Sequence, residues 1–149
     1  MRIVIQRVSE ASVKIDGKLK NAISIGFLVL LGIESEDTTV EADYLIQKLI
    51  NLRIFSDSEG KMNLSLSDVK GDLLIVSQFT LHAATKKGNR PSYIKAARPE
   101  QAIPLYRYFI EKTKSNFEGK VLEGEFGADM KIALINDGPV TIFIDSKES

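Results

Sequence analysis

The sequence of 149 residues contains no cysteine and no tryptophan, and it has a single histidine, His82. The absence of cysteine excludes disulfide bonds, thiolate nucleophiles and cysteine-ligated zinc or iron–sulfur centres. A single histidine cannot form a two-histidine metal site, and it gives little support to a hydrolase that relays protons through histidine. We therefore expect a protein without a metal centre and without thiol chemistry.

Long apolar runs and an excess of one charge are missing as well. The longest apolar run, residues 27–31, is too short to span a membrane, and residues 1–5 carry neither a signal-type core nor a small-residue cleavage site. We therefore expect a cytoplasmic protein with no membrane partner. Twenty Lys and Arg residues balance twenty Asp and Glu residues, which argues against a general nucleic-acid coat.

The charges are unevenly distributed along this neutral chain. Residues 73–99 contain no Asp or Glu, whereas an even distribution of the 20 acidic residues would place about 3.6 there. Residues 86–98, which we call the basic segment, carry five cations: Lys86, Lys87, Arg90, Lys95 and Arg98. The basic segment could offer a local docking site for an anion, and the alternative is a solvated loop in a chain whose acids lie elsewhere.

Hydrophobic periodicity predicts a single α/β domain over residues 1–149. Apolar alternation and short apolar runs predict strands at residues 2–8, 12–16, 19–25, 27–33, 72–81, 120–126, 131–135 and 140–145. A capping box at Thr38 begins a first helix that ends near Arg53, and Pro99 begins a second helix that contains Pro104. The order of these elements, with no repeat or linker, predicts a mixed sheet with helices on one side.

Two short polar stretches at strand ends hold the residues that could carry chemistry. The first begins at Ser77 and brings an amide, an aromatic ring and two hydroxyls together directly before the basic segment. Here Phe79 could stack on a nucleobase, Gln78 and Thr80 could bond polar groups, and backbone N–H groups could stabilise an oxyanion. The alternative is an ordinary strand in which Phe79 belongs to the core.

The second stretch, residues 136–141, lies between two predicted strands. Gly138 permits backbone conformations that other residues avoid, and Pro139 fixes φ and has no N–H group. On these residues alone a hairpin turn is the favoured explanation. The sequence does not show whether the peptide bond before Pro139 is cis.

Five ordered blocks resemble the D-aminoacyl-tRNA deacylase family, also called the D-tyrosyl-tRNA deacylases. They are MRIVIQRV at 1–8, LLGIE at 30–34, LLIVSQFTL at 73–81, KKGNRPSY at 86–93 and NDGPVTI at 136–142, and together they extend over nearly the whole chain. The resemblance implies a three-layer α/β/β, barrel-like domain with mixed sheets that forms a homodimer with a cross-subunit active site. It also implies an ester hydrolase that removes D-amino acids from tRNA and needs no cofactor and no metal.

The same resemblance implies the residues of the substrate pocket. Ser77, Gln78, Phe79 and Thr80 match the family's pocket for the 3′-terminal adenosine of the tRNA and its attached amino acid. Met130 matches a residue that lines this pocket. The cations of the basic segment are expected to contact phosphates of the acceptor stem, which would give affinity without much sequence choice.

Gly138 and Pro139 match a Gly–cis-Pro motif that one subunit inserts into the active site of the other, and Arg7 matches the arginine that holds this motif. A rigid barrier of main-chain atoms on the L side would exclude every L side chain by overlap. Glycine has no side chain to exclude. We therefore expect glycyl-tRNA, including glycine mischarged on tRNA-Ala, to be hydrolysed as well.

The catalytic groups are less evident from the sequence. Thr80 is the candidate nucleophile, but its motif contains no His, Lys or carboxylate to act as a base. We expect Thr80, Gln78 and Phe79 to position the ester and a water, with activation left largely to the 2′-hydroxyl of the tRNA. His82 would share a strand face with Thr80, and we expect it to be an exposed bystander at a strand end.

Two other functions fit the same residues. The first is a non-catalytic module that binds RNA ends through the stacking ring and the basic segment. The second is a small-molecule esterase in which Thr80 and His82 react together, although no third orienting group is visible.

Overall fold

The computed structural model describes residues 1–148. Eight strands and two helices follow one another in the described chain: β1 (Arg2–Ile15), β2 (Lys18–Ile23), β3 (Gly26–Gly32), α1 (Thr39–Asn51), β4 (Phe55–Ser56), β5 (Met62–Leu64), β6 (Asp72–Ser77), α2 (Pro99–Asn116), β7 (Val121–Glu123) and β8 (Met130–Asp145). A short 3-10 turn, Phe79–His82, follows β6. Neither helix in this part of the chain is long and apolar enough to cross a membrane.

The predicted α/β fold is confirmed. A mixed sheet in the order β2-β1-β3-β6-β7 curls into a nearly closed barrel, since β8 pairs with β1 as well. The long strand β1 makes this possible: residues 2–8 pair with β3, and residues 11–15 pair with β2, while β8 runs antiparallel beside both parts. The strands β3, β6 and β7 are parallel, with α1 and α2 in the crossovers between them.

The two helices lie together on one side of the sheet, as the periodicity predicts. Their apolar faces and the sheet enclose the main core, in which Leu45, Phe109 and Phe27 are fully buried. The capping box of α1 is present, because Val40 N donates to Thr38 Oγ1 at 3.2 Å and Thr38 N donates to Glu41 Oε2 at 2.7 Å. The first turn of α1 therefore has its free N–H groups satisfied.

Several predicted strands have different boundaries in the structure, and two of these differences concern the candidate site. The predicted strand at residues 72–81 ends at Ser77: Gln78 N makes the last bond to β3, donating to Leu31 O at 2.8 Å, and the chain then enters the 3-10 turn. The predicted strands at residues 131–135 and 140–145 are parts of the single strand β8. Both differences lie at the stretches that the sequence singles out for chemistry.

Candidate active site

A cavity of about 270 Å³ opens beside the carboxyl ends of β3 and β6. Four predicted pocket residues line it together: Ser77, Gln78, Phe79 and Met130. Leu31 and Ile33 of the neighbouring chain segment and residues 126–129 complete much of the wall. Apolar side chains with a few polar groups at a strand end form the usual setting of a small-molecule site in an α/β protein.

Phe79 is half exposed at the mouth of this cavity, with 54% of its surface accessible. The ring of Tyr93 packs edge-on against it, with 5.1 Å between ring centroids. The interpretation of Phe79 as a core residue is therefore wrong. An exposed ring braced by a second ring offers a free face on which a planar base can stack.

Thr80 belongs to the 3-10 turn, and its hydroxyl is held by the amide of the nearby glutamine. Gln78 Nε2 donates to Thr80 Oγ1. Within residues 1–148, no basic side chain or carboxylate forms a hydrogen bond with this hydroxyl. Thr80 was predicted to belong to the pocket, but it does not line the cavity, and its hydrogen-bond partner in the described chain is the amide of Gln78.

His82 differs from its prediction. The sequence predicts an exposed side chain, but His82 is buried, with 2% of its surface accessible. The chain forms a 3-10 turn where a strand was predicted. Its Nδ1 atom lies 3.3 Å from Glu34 Oε2. No hydrogen bond joins His82 to Thr80 in the described chain, so the pair required by the small-molecule esterase is not formed.

Residues 137–140 bulge out of β8 opposite Arg7. Gln6 pairs with Thr141 and Val8 pairs with Asn136, so that Arg7 alone faces the whole bulge. The peptide bond between Gly138 and Pro139 is cis, and Gly138 has a φ of +154°. The interpretation of this stretch as a hairpin turn is wrong, since β8 continues through it.

Arg7 joins the bulge to the segment that follows α1. Arg7 Nε donates to Asp137 O at 2.7 Å and Arg7 Nη1 donates to Ile54 O at 2.7 Å. The side chain of Asn136 acts from within β8, because its Oδ1 accepts from Val140 N at 2.7 Å. These bonds hold both ends of the bulge, so its main chain is a rigid feature of the surface.

The bulge and the cavity are separate within one chain. Residues 137–139 are exposed, and they do not line the cavity. Ile132 is the last residue of β8 that lines the cavity, and the five residues from there to Asp137 correspond to about 16 Å of strand at a rise of about 3.3 Å each. A single copy therefore presents the bulge to solvent, away from its own pocket.

The basic segment begins shortly after the 3-10 turn. An antiparallel bridge between Ala84 and Ser92 closes its first loop, with Ala84 N donating to Ser92 O at 2.8 Å. Three exposed cations lie on this loop: Lys86, Lys87 and Arg90. None of the three pairs with a carboxylate within the described residues, so their charges are available to an anionic ligand.

Other pocket features were not predicted from the sequence. Tyr93 lies within the block KKGNRPSY of residues 86–93, and its ring position could not be inferred from spacing. Asp129 places a carboxylate at the cavity, where Lys131 Nζ lies 3.0 Å away. No group of three or more His, Asp or Glu residues that could hold a metal ion occurs in residues 1–148.

The comparisons with known proteins agree with the resemblance seen in the sequence. The family model described as D-Tyr-tRNA(Tyr) deacylase matches residues 4–145. A D-aminoacyl-tRNA deacylase of Christiangramia forsetii is 61% identical over 148 residues, and one of Akkermansia muciniphila is 59% identical over 148 residues. Each alignment covers 99% of this chain and 99% of the relative.

Solved structures give the same fold. A structure named c-Myc DNA Unwinding Element Binding Protein has a TM-score of 0.92 at 41% identity, covering 97% of this chain and 98% of that chain. A structure described as a probable eukaryotic D-amino acid tRNA deacylase has a TM-score of 0.81 at 18% identity, covering 96% and 97%. Since the family model extends over most of the sequence, the chain belongs to the D-Tyr-tRNA(Tyr) deacylase family.

Proposed function

We propose that this enzyme, a hydrolase acting on D-aminoacyl-tRNA, proofreads chirality by excluding L-amino acids and also removes glycine mischarged on tRNA-Ala. The products are the free amino acid and the tRNA. The observation that carries this proposal is the rigid, exposed bulge at Gly138 and Pro139, which lies outside the cavity of its own chain. A main-chain barrier of this kind acts on every L side chain, whatever its chemistry.

The bulge requires a second copy of the chain to reach a pocket. Because residues 137–139 are exposed and do not line the cavity of their own chain, they are proposed to complete the site of a partner. Two apolar side chains on the exposed face of β8 flank the bulge, Ile135 at 54% and Phe143 at 51% exposed. Such residues favour burial in an interface, and the proposed assembly is a homodimer with two cross-subunit sites.

The substrate would bind by its 3′ end. The exposed face of Phe79 is available to the terminal adenine, and the cavity lined by Ser77, Gln78 and Met130 is available to the amino acid. The loop of the basic segment lies next to the 3-10 turn, so its cations could contact the phosphates that follow. This places the ester beside Thr80.

Catalysis is proposed to rely on positioning and on the tRNA itself. Water, activated by the vicinal 2′-hydroxyl, adds to the ester carbonyl carbon, and the bond from that carbon to the ribose 3′ oxygen then breaks as the oxygen takes up a proton. The N–H groups of Phe79 and Thr80 donate to no partner oxygen among the described residues. They are donors suited to the oxyanion, and they stabilise charge as it develops.

Three aminoacyl-tRNAs test this function: D-tyrosyl-tRNA, glycyl-tRNA-Ala and L-alanyl-tRNA-Ala. Release of the amino acid is measured against time at equal enzyme concentration. We expect D-tyrosine and glycine to be released and L-alanine to stay attached. Glycyl-tRNA-Ala and L-alanyl-tRNA-Ala share a tRNA and differ by one methyl group, so this pair isolates the effect of the side chain. Equal resistance of the glycyl and L-alanyl esters would contradict the main-chain barrier.

A second candidate is nucleic-acid binding without hydrolysis. Two observations favour it: the 41% identical structure is named as a DNA-binding protein, and the loop of the basic segment is exposed. The same experiment separates the two functions. A binding protein would protect D-tyrosyl-tRNA from spontaneous hydrolysis, whereas the enzyme shortens its lifetime.

The variant Thr80→Ala tests the role of the hydroxyl. We expect kcat/KM for D-tyrosyl-tRNA to fall by no more than about tenfold, because a positioning group contributes less than a covalent nucleophile. Single-turnover release of D-tyrosine measures the chemical step. A loss beyond about 10³-fold in a folded variant would show that Thr80 is the nucleophile.

Replacing Lys86, Lys87 and Arg90 together by Ala tests the basic segment. We expect weaker binding to many different tRNAs and a shallower dependence of affinity on salt. The slope of log affinity against log salt concentration should decrease in magnitude by about 0.7 to 0.9 for each phosphate that is no longer neutralised. Filter binding between 50 and 200 mM salt, about the range over which such contacts are sensitive, measures both. The matched control removes the same charge from three exposed positions elsewhere: Lys18, Lys61 and Lys112. Equal effects of the two triple variants would contradict the assignment.

A further inference from the structure

The turn that carries Phe79 and Thr80 ends in a buried acid–base pair that the proposed reaction does not use. The side chain of His82 is 1% exposed and that of Glu34 is 10% exposed, and His82 Nδ1 lies 3.3 Å from Glu34 Oε2. Neither ring nitrogen of His82 has a hydrogen-bond partner among residues 1–148. The carboxylate of Glu34 is therefore the charged group that the ring faces in the described chain.

Glu34 itself is held in place by its surroundings. Its backbone N–H donates to Asp37 Oδ2 at 2.7 Å, and Asp37 Oδ1 accepts from the ammonium group of Met1 at 2.6 Å. Its second carboxylate oxygen contacts Lys147 Nζ. Burial raises the pKa of the Glu34 carboxyl, but the contact with Lys147 and the nearby charges outweigh burial and bring this pKa below its ordinary value. Glu34 is thus a fixed carboxylate at neutral pH.

The backbone of the turn is in direct contact with β3. A Cβ atom on Gly32 would lie 3.2 Å from His82 Cδ2 and 3.0 Å from the carbonyl oxygen of Gln78. One residue before His82, the carbonyl oxygen of Leu81 accepts from Arg2 Nη1 at 2.8 Å. The turn is therefore attached at its far end to side chains of the barrel, while its near end faces the cavity.

We propose that Glu34 and His82 are positioning residues for deacylation, which act by orienting the turn so that Gln78, Phe79 and Thr80 meet the ester correctly. Their buried contact fixes the end of a four-residue turn, and a turn this short transmits a shift at one end to the other. This inference rests on the proposed function in one respect, namely that residues of the turn contact the ester. Both side chains are buried and neither lines the cavity, so their proposed effect reaches the substrate through the turn.

The variant His82→Ala should lower kcat for D-tyrosyl-tRNA about 10- to 100-fold, because a displacement of about 1 Å in a positioning group has effects of this size. KM should change by less than about threefold, since phosphate contacts supply most of the affinity. The variant His82→Asn should restore kcat to within about threefold of the wild type, because its side-chain N–H can take the place of Nδ1–H beside Glu34.

Two acidic residues near each other provide a matched comparison. Glu34→Gln removes the carboxylate that faces His82, and we expect the same decrease in kcat as in His82→Ala. Glu36→Gln makes the same chemical change at an exposed position that contacts Lys147 at 2.7 Å, and we expect no change. The double variant of Glu34 and His82 should have a kcat no lower than that of the less active single variant, because both substitutions break the same interaction.

Two results would overturn the proposal. If His82→Asn is as inactive as His82→Ala and both lack one limb of the pH–rate profile, His82 is a general base. If kcat per folded molecule is unchanged in every variant while the free energy of unfolding falls, the pair serves stability alone. Urea unfolding of each variant supplies the folded fraction.

A spectroscopic measurement separates this proposal from the proposed function. Backbone amide resonances of residues 78–81 are compared in the ligand-free wild type, His82→Ala and His82→Asn. We expect the alanine variant to shift them and the asparagine variant to leave them near the wild type. Unchanged resonances in His82→Ala would refute the positioning role, whereas a wild type that hydrolyses no aminoacyl-tRNA would refute the proposed function and leave this measurement valid.

Discussion

The variant Arg7→Ala is expected to lose at least about 100-fold in kcat/KM for D-tyrosyl-tRNA. The guanidinium donates to the carbonyl oxygens of Asp137 and Ile54, each at 2.7 Å, and the residue is 9% exposed. Without it the bulge loses these bonds, and main-chain atoms whose position relative to the substrate must be accurate to about 1 Å become mobile. The decrease in kcat/KM is measured from the D-tyrosine released in samples quenched at set times.

The same substitution should also lower the free energy of unfolding. The carbonyl oxygen of Ile54 is left buried without its donor, which costs about 1–3 kcal/mol. Arg53→Ala is the matched control, because Arg53 Nε also donates to a backbone carbonyl, that of Asn63 at 2.8 Å, but at an exposed position in β5. We expect Arg53→Ala to keep full activity. A folded Arg7→Ala with wild-type activity would contradict the role of Arg7 in holding the bulge.

Much of the fold could be predicted from local sequence patterns. The uninterrupted apolar run of β3 and the capping box of α1 depend on neighbouring residues, so the sequence contains all the information needed for them. The end of β6 does not depend on neighbours alone. The last bond of β6 to β3 joins Gln78 N to Leu31 O, a residue 47 positions earlier, and no periodicity within residues 72–81 indicates that the chain turns directly after it.

The candidate site could likewise be predicted only where it depends on neighbouring residues. The residues of the two polar stretches were identifiable because unusual residue types occur together at strand ends. The burial of His82 was not, since it depends on Glu34 in a distant part of the chain. The separation of the Gly138–Pro139 bulge from the cavity was also hidden, because it follows from the register of β1 against β8, in which Arg7 alone faces residues 137–140.

The variant Gly138→Ala is expected to have the largest effect on activity, about 100- to 1,000-fold in kcat/KM for D-tyrosyl-tRNA, the scale of a misplaced site. A Cβ at this position would lie 2.7 Å from Val140 Cγ2, 2.8 Å from Val140 N and 3.2 Å from Arg7 Nη2. The main chain of the bulge must therefore move, and the φ of +154° adds strain of about 1–3 kcal/mol for a residue with a side chain.

The displaced barrier should also change which substrates react. If main-chain atoms at Gly138 exclude L side chains, the residual activity of Gly138→Ala should show a smaller ratio of D-tyrosyl to L-tyrosyl hydrolysis than the wild type. Gly60→Ala is the matched control, since Gly60 has a φ of +79° and a Cβ added there would meet nothing within 4 Å. It should lose stability by about 1 kcal/mol and keep both rate and stereoselectivity.

Circular dichroism and urea unfolding establish that both glycine variants are folded before rates are compared. A lower rate with an unchanged ratio of D to L hydrolysis would place the bulge in support of the site and not in the selection of handedness. Gly60→Ala carries the same methyl group at another residue of positive φ, so a loss of activity confined to Gly138→Ala arises from the conformation and surroundings of the bulge. A barrier made of main chain can be weakened only by moving it, and at Gly138 one methyl group is enough to force that movement.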